Sequence, residues 1–224
     1  MEQKVRTILI ASGSGTDALA IMQAYKDGFI PNINLVALIS TKKDAGCLEK
    51  ASLLGIPGIL LDPKLISNKE DFNKFLVEHL RRLNCQLVFL VGCIVKVLPV
   101  EGISIYNIHP AGLTHFGGKG MYGLKVHERV LLHVADQISR EKKAFSDRFF
   151  TYPTVHEVVL EYDSGEPLLQ VSVEIPFEII FRLIVEKAID LKTAAEELQK
   201  HVLPYEWAML PTAVNIAAKK ILTY

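Results

Sequence analysis

The chain has 224 residues, half of them hydrophobic and 22% charged, with 25 Lys and Arg balanced by 25 Asp and Glu. Zero formal charge removes the basic excess that a phosphate-tracking nucleic-acid surface requires, and runs such as Leu87–Gly92 and Ile175–Ile180 are too short to span a bilayer. The length suits one large domain or two small ones, and without repeats or a low-complexity linker one domain is expected.

In chain order, β-rich runs are expected at Arg6–Ala11, Asn34–Ser40, Gly58–Leu61, Gln86–Val91 and Ser104–Ile108. Helices are expected between them at Asp17–Asp27, Asp44–Leu54 and Lys69–Leu83. In the last, Phe72, Leu76, His79, Leu80 and Leu83 recur at helical spacing as one stripe. Continuous apolar strands alternating with helices predict an α/β fold, a mostly parallel sheet with helices on both faces. Ligands of such sheets bind at the carboxyl ends of strands where chain order reverses.

Beyond His109 the pattern changes. Ala111–Gly123 reads as a Gly-rich loop, followed by a helix near Leu124–Val134 and a charged surface excursion over Asp136–Phe150. Val155–Glu161 and Leu168–Ile175 alternate apolar and polar residues around Asp163-Ser164-Gly165-Glu166-Pro167, the pattern of a β-hairpin with a wide turn. The last fifty residues form C-terminal helices, with breaks expected at Pro204 and Pro211.

The opening Met1-Glu2-Gln3-Lys4-Val5-Arg6 lacks the apolar core of a signal peptide. Cys47, Cys85 and Cys93 are widely spaced, without a CxxC pair, so they read as reduced thiols of a cytoplasmic protein, with no metal site.

Two stretches carry chemistry. Ala11-Ser12-Gly13-Ser14-Gly15-Thr16-Asp17 joins a strand to a helix, where free N–H groups favour an anion; a plain tight turn with Asp17 as helix cap explains it equally well. It is neither a GxGxxG fingerprint nor a P-loop, and Ser40-Thr41-Lys42-Lys43 offers no acidic residue for a dinucleotide ribose. In Ser104-Ile105-Tyr106-Asn107-Ile108-His109-Pro110, period-two alternation aims Asn107 and His109 at one face. An amide donor beside a titratable imidazole suits a carbonyl oxygen that becomes an oxyanion; a capped strand end with a semi-buried histidine is the simpler reading of the pair alone.

Asn107-Ile108-His109-Pro110, then Phe116-Gly117-Gly118-Lys119-Gly120-Met121-Tyr122-Gly123 and Val126-His127, resemble the core of phosphoribosylglycinamide formyltransferases. Four further segments resemble the family in order: Ser12–Asp17, Val91–Val97, Val155–Gly165 (with His156 seven positions before Asp163) and Glu206-Trp207-Ala208-Met209-Leu210-Pro211. The resemblance implies a single Rossmann-like formyltransferase domain over residues 1–224. Residues 1–110 would be the nucleotide/phosphate-binding half, and 111–224 the folate and catalytic-loop half with the C-terminal helices. It implies transfer of a formyl group from the co-substrate 10-formyltetrahydrofolate to the amine of glycinamide ribonucleotide in de novo purine synthesis, through direct attack and a tetrahedral intermediate, without a metal. The partners implied are small molecules only, with no nucleic acid or membrane, and the chain would act as a monomer or homodimer.

The roles implied are catalysis by Asn107, His109 and Asp163, with Asp163 raising the His109 pKa and holding it charged. Gly15, Thr16, Asp17, Lys69, Ile94 and Glu206 would contact the substrate, and Ile94, Val95, Val97 and Asp163 the folate. Lys119 is a further phosphate or ribose candidate; Lys69 and Lys119 read equally well as solvated lysines.

Several positions depart from the family pattern. Asp17 replaces an asparagine, Lys69 an arginine, and Gly112-Leu113-Thr114 a Leu-Leu-Pro, which places His115 near the site. Stretches 136–150 and 177–200 are longer than usual. Asp17 leaves a formyltransferase for another amine, such as an amino sugar nucleotide, open, as is a formyltetrahydrofolate hydrolase. A non-catalytic folate or nucleotide sensor would not need all three catalytic residues, and a methionyl-tRNA formyltransferase would need a further RNA-binding domain.

Overall fold

The computed structural model describes residues 3–66, 69–140, 143, 144 and 146–223, with backbone alone at 69 and 70. β1 (Val5–Ala11) is central. Toward one edge lie β2 (Ile33–Ser40) and β3 (Gly58–Leu60); toward the other lie β4 (Leu87–Leu90), β5 (Ser104–His109), β7 (Thr154–Glu157) and β8 (Pro167–Gln170). β1 to β5 pair in parallel, while β7 and β8 are antiparallel additions. The expected mostly parallel α/β sheet is present.

The sheet is covered on both faces because successive strand residues point to opposite sides. Ile8, Ile10, Val88, Leu90 and Ile105 pack with Phe72, Leu76 and Leu80 of α3 (Lys69–Arg82), so the expected stripe is the buried face of that helix. Val5, Leu9, Leu38, Phe89 and Ile108 pack on the other side, against α1 (Thr16–Lys26), α2 (Gly46–Leu53) and the end of α7 (Leu191–Leu222). A third cluster joins α5 (Leu124–Ser139), α6 (Phe177–Ile184) and the start of α7 through Val130, Leu131, Ile180 and Leu198.

The carboxyl end of β1 is where chain order reverses, since β2 and β4 flank it on opposite sides. The loop after β1 is tied to the loop after β4 by Ser12 N–H to Gly92 O at 3.1 Å, and Ile94 N–H donates to Ser12 Oγ at 3.0 Å. Gly15, the α1 N-cap, has φ 75°, and a Cβ there would lie 2.4 Å from the Cys47 Cβ. Only glycine fits that turn.

Four expectations change. The Gly-rich loop contains a single helical turn, α4 (Leu113–Phe116), and α5 runs five residues beyond Val134, into the expected excursion. The second hairpin arm divides: β8 joins the main sheet, while β9 (Val173–Glu174) pairs with β6 (Phe150–Thr151) in a separate two-stranded sheet. Pro204 and Pro211 do not break the last helix; α7 runs unbroken through both. Each proline removes one ladder bond at a cost of about 3 kcal/mol. The buried positions Leu198, Val202, Glu206, Met209, Leu210, Ala213 and Ala217 continue in helical register across both prolines. Pro204 is exposed, as is Lys200, whose carbonyl loses its ladder donor, and burial of the stripe outweighs the loss. Among the described residues no helix is long and apolar enough to cross a membrane.

Candidate active site

A cavity of about 380 Å³ opens at the sheet's switch point, within the range of small-molecule sites. The loop after β1 contributes Ser14, Thr16 and Asp17; the loop after β4 contributes Ile94, Val95 and Val97. β5 contributes Asn107 and His109, α5 His127, β7 His156, the following loop Asp163, and α7 Glu206.

Register builds the centre. Asn107 and His109 are two apart on β5, hence on one face, and the antiparallel β5–β7 ladder sets Asn107 directly opposite His156. Asn107 Nδ2 donates to His156 Nε2 at 3.2 Å, while His156 Nδ1 donates to Glu157 O at 2.9 Å. A backbone carbonyl only accepts, so the His156 proton sits on Nδ1 and Nε2 receives the amide. By the same logic His109 Nε2–H donates to Phe116 O at 2.9 Å, which leaves Nδ1 as its open nitrogen.

Asp163 lies between the two imidazoles, with Oδ2 3.7 Å from His109 Nδ1 and Oδ1 3.5 Å from His156 Nε2. It stands at φ 52°, a left-handed conformation uncommon for a residue with a side chain. The Gly118 N–H donates to Oδ2 at 2.9 Å. Gly117 permits this approach, because a Cβ there would meet the Asp163 Cβ at 2.9 Å and Leu113 O at 2.7 Å.

Burial dominates the electrostatics. His109 is 3% exposed, and desolvation lowers its pKa despite the opposing pull of the Asp163 charge and the Phe116 carbonyl. The expectation that Asp163 raises the His109 pKa is therefore corrected: removal from water outweighs a carboxylate 3.7 Å away, and the net shift is downward. Burial would raise the Asp163 carboxyl, but the two flanking imidazoles, once protonated, and the Gly118 N–H together hold it below its ordinary value. His127 is almost wholly buried, its Nδ1 has no partner among the described residues, and desolvation with the His109 charge pushes it down to about 4.

Not every expected residue reaches the cavity. Thr16, Asp17, Ile94, Val95, Val97 and Glu206 line it with the catalytic candidates, whereas Gly15 is buried behind it against Cys47. Lys119 is exposed outside the lining. His115 occupies a separate depression with Phe116, His133 and Tyr152, its ring stacked on His133. The side chain of Lys69 lies outside the described residues. Sequence reasoning noted His156 and His127 only as landmarks. The signal for His156 was its strand position, which acquires meaning once β7 is known to run antiparallel beside β5.

Residues 5–212 match the family described as formyl transferase. The chain belongs to the formyl transferase family. Among curated relatives, the chloroplastic phosphoribosylglycinamide formyltransferase of Arabidopsis thaliana is 34% identical over 197 residues, covering 83% of this chain and 62% of that protein. The corresponding protein of Vigna unguiculata is 33% identical over 174 residues, or 75% and 51%. The chain thus spans less than two thirds of the length of these plant members. Among solved structures, glycinamide ribonucleotide transformylase 1 from Symbiobacterium toebii superposes with TM-score 0.73 at 25% identity, covering 98% of this chain and 90% of that one. Phosphoribosylglycinamide formyltransferase from Bacillus halodurans gives 0.67 at 28% identity, with 96% of each chain covered. The Asp163 centre lies wholly within the matched span.

Proposed function

We propose that this formyl transferase moves a formyl group from 10-formyltetrahydrofolate to the amine of glycinamide ribonucleotide in de novo purine biosynthesis. The observation that carries the reading is the Asp163 carboxylate bracketed by His109 and His156, with Asn107 beside them on the wall of one cavity. Folate binding is supported by the exposed apolar face of Ile94, 64% accessible, beside Val95 and the buried Val97 in the same wall. A flat ring placed there buries its faces and Ile94 together.

When bound, the folate supplies a formyl carbon that becomes tetrahedral as an amine adds directly to it, so no nucleophilic side chain is required. The chain's task is to stabilise oxygen charge and to move one proton. The Asn107 amide, oriented by His156, is the neutral donor toward the oxygen. His109, pinned through Nε2–H to the Phe116 carbonyl, takes a proton at Nδ1, where Asp163 stands 3.7 Å away to stabilise the imidazolium. A His109 pKa held down by burial suits this, because the imidazole then offers Nδ1 as an open nitrogen. Asp163, held ionised by the Gly118 N–H, stabilises that imidazolium until the proton would pass to the folate nitrogen, whose bond to the formyl carbon breaks as the new amide forms. Each contribution is worth about two to three powers of ten in rate. The N–H groups at the α1 start, near Ser14 and Thr16, are the proposed phosphate contacts. Three unpaired thiols favour a reducing compartment, the cytoplasm, as the setting.

The deciding experiment is an amine-dependence assay with purified protein. Consumption of 10-formyltetrahydrofolate is expected only when glycinamide ribonucleotide is present. Turnover with another phosphorylated amine instead would replace the acceptor, and turnover without any amine would replace transfer by hydrolysis.

A further inference from the structure

The depression that holds His115 has a volume of about 430 Å³ and shares no lining residue with the catalytic cavity. Donors reach it from separate segments: His115 of α4, His133 and Gln137 of α5, Lys143 beyond α5, and Tyr152 after β6. No carboxylate stands among the described residues that line it. The nearby acids are committed elsewhere, Asp136 to Arg140 at 2.7 Å and Glu174 to Arg148. Gly112 leaves the space beside Tyr152 open: a Cβ there would already stand 3.8 Å from the Tyr152 Cβ.

The donors are held in place. The His115 ring lies 5.8 Å from the His133 ring with planes 15° apart, and the Phe116 ring stands edge-on to both, at 6.1 and 5.5 Å. The Lys143 backbone N–H donates to Gln137 O at 3.3 Å, and its ammonium rests 5.1 Å from the Phe149 ring centroid. The Gln137 amide stands 3.0 Å from His133 Nε2. An amide offers NH₂ to a neutral imidazole and oxygen to a protonated one, so this partner accepts either form.

An ammonium and two imidazoles with no acid among them favour a negatively charged ligand. Two stacked imidazoles repel once both are protonated, and a bound dianion offsets that repulsion. A carboxylate brings one charge and two oxygens, whereas a phosphate monoester brings about two charges and three acceptor oxygens. A metal ion suits the pair poorly, because imidazole lone pairs lie in the ring planes and planes 15° apart do not converge on one point. Val134, Phe150 and Tyr152 supply wall for the remainder of an ester.

We propose that this depression is a second ligand site, which binds the phosphate of a small phosphate monoester through His115, His133 and Lys143. The site stands apart from the catalytic cavity and does not depend on which amine accepts the formyl group.

The test follows the imidazole signals of the full chain by nuclear magnetic resonance during titration with phenyl phosphate, inorganic phosphate and benzoate. H115Q and H133Q each delete one signal and so assign the pair, while His109 and His127 report any occupancy of the catalytic cavity separately. All three substituted side chains, Lys143 included, are exposed, and thermal melting checks that the variants fold. Phenyl phosphate should shift His115 and His133 along one saturation curve, at least about tenfold tighter than benzoate and about threefold tighter than inorganic phosphate. In K143M that curve should weaken by about tenfold or more, as loss of a charge-assisted bond predicts. The His133 curve should weaken likewise in H115Q. Signals that stay still at about 10 mM phenyl phosphate overturn the proposal. So does benzoate or inorganic phosphate bound as tightly as the ester, or an unchanged curve in folded K143M. Broadening of both signals by nickel(II) chloride, without a response to the ester, would make this a metal site and overturn it as well.

Discussion

Asn107 on β5 sits directly across the antiparallel ladder from His156 on β7, and its amide donates to His156 Nε2 at 3.2 Å. This bond orients the amide beside His109 while the same imidazole flanks Asp163. In His156→Ala the amide rotates freely and Asp163 loses one of its two histidines. We expect kcat to fall about 10- to 100-fold, the range of a lost second-layer partner, with KM for the folate changed less than threefold. Steady-state kinetics on folded variant, checked by circular dichroism, measure this; a KM effect alone would assign His156 to binding.

Asp163→Asn preserves shape and the Gly118 contact, but removes the charge that stabilises protonated His109. Turnover should drop by at least about a hundredfold, with thermal stability within a few degrees of the parent. Near-normal kcat in that variant would take Asp163 out of the mechanism.

Gly117→Ala tests the loop rather than the acid. The added methyl meets Leu113 O at 2.7 Å and the Asp163 Cβ at 2.9 Å, so either the turn opens or Asp163 moves. A stability loss of about 1–3 kcal/mol in urea titration is expected, together with a tenfold or greater fall in kcat. Retention of full activity would show that the Gly118 N–H bond to Asp163 is dispensable.

His127 predicts an acid sensitivity. Its folded pKa is about 4 and its unfolded value about 6.5, so the unfolded chain binds the proton first as pH falls. The stability present above pH 6.5 is therefore lost progressively between 6.5 and 4, by up to about 3 kcal/mol at this site. In His127→Asn the decline in melting temperature over that window should be shallower. An identical pH profile in the two proteins would reject the assignment.

Pro204 is exposed in the interior of α7 and contributes no ladder donor. Pro204→Ala should stabilise the protein by about 1–3 kcal/mol, because the helical course is already imposed by packing. A loss of stability on denaturant titration would mean that the proline ring holds a bend the core requires.

Local pattern made much of this protein legible. Alternating apolar strands and helices determined a parallel sheet, since a strand buried on both faces has no polar side to show. The two-residue spacing of Asn107 and His109 placed them on one face, and the recurrence of Phe72, Leu76 and Leu80 marked the buried side of α3. Those inferences hold because side-chain direction within a strand or helix is set by backbone geometry a few residues long.

The tertiary structure alone decided what distant segments do to one another. Strand register brought His156 against Asn107, 49 residues away. Packing of α1 on α7 brought Asp17 and Glu206 into the wall of one cavity, and burial of the α7 stripe carried a helix through two prolines that local preference reads as breaks. Solvent exclusion pulled the His109 pKa down where proximity to Asp163 argued for a rise. Register, burial and dielectric depend on which surfaces meet, and no window of sequence contains that information.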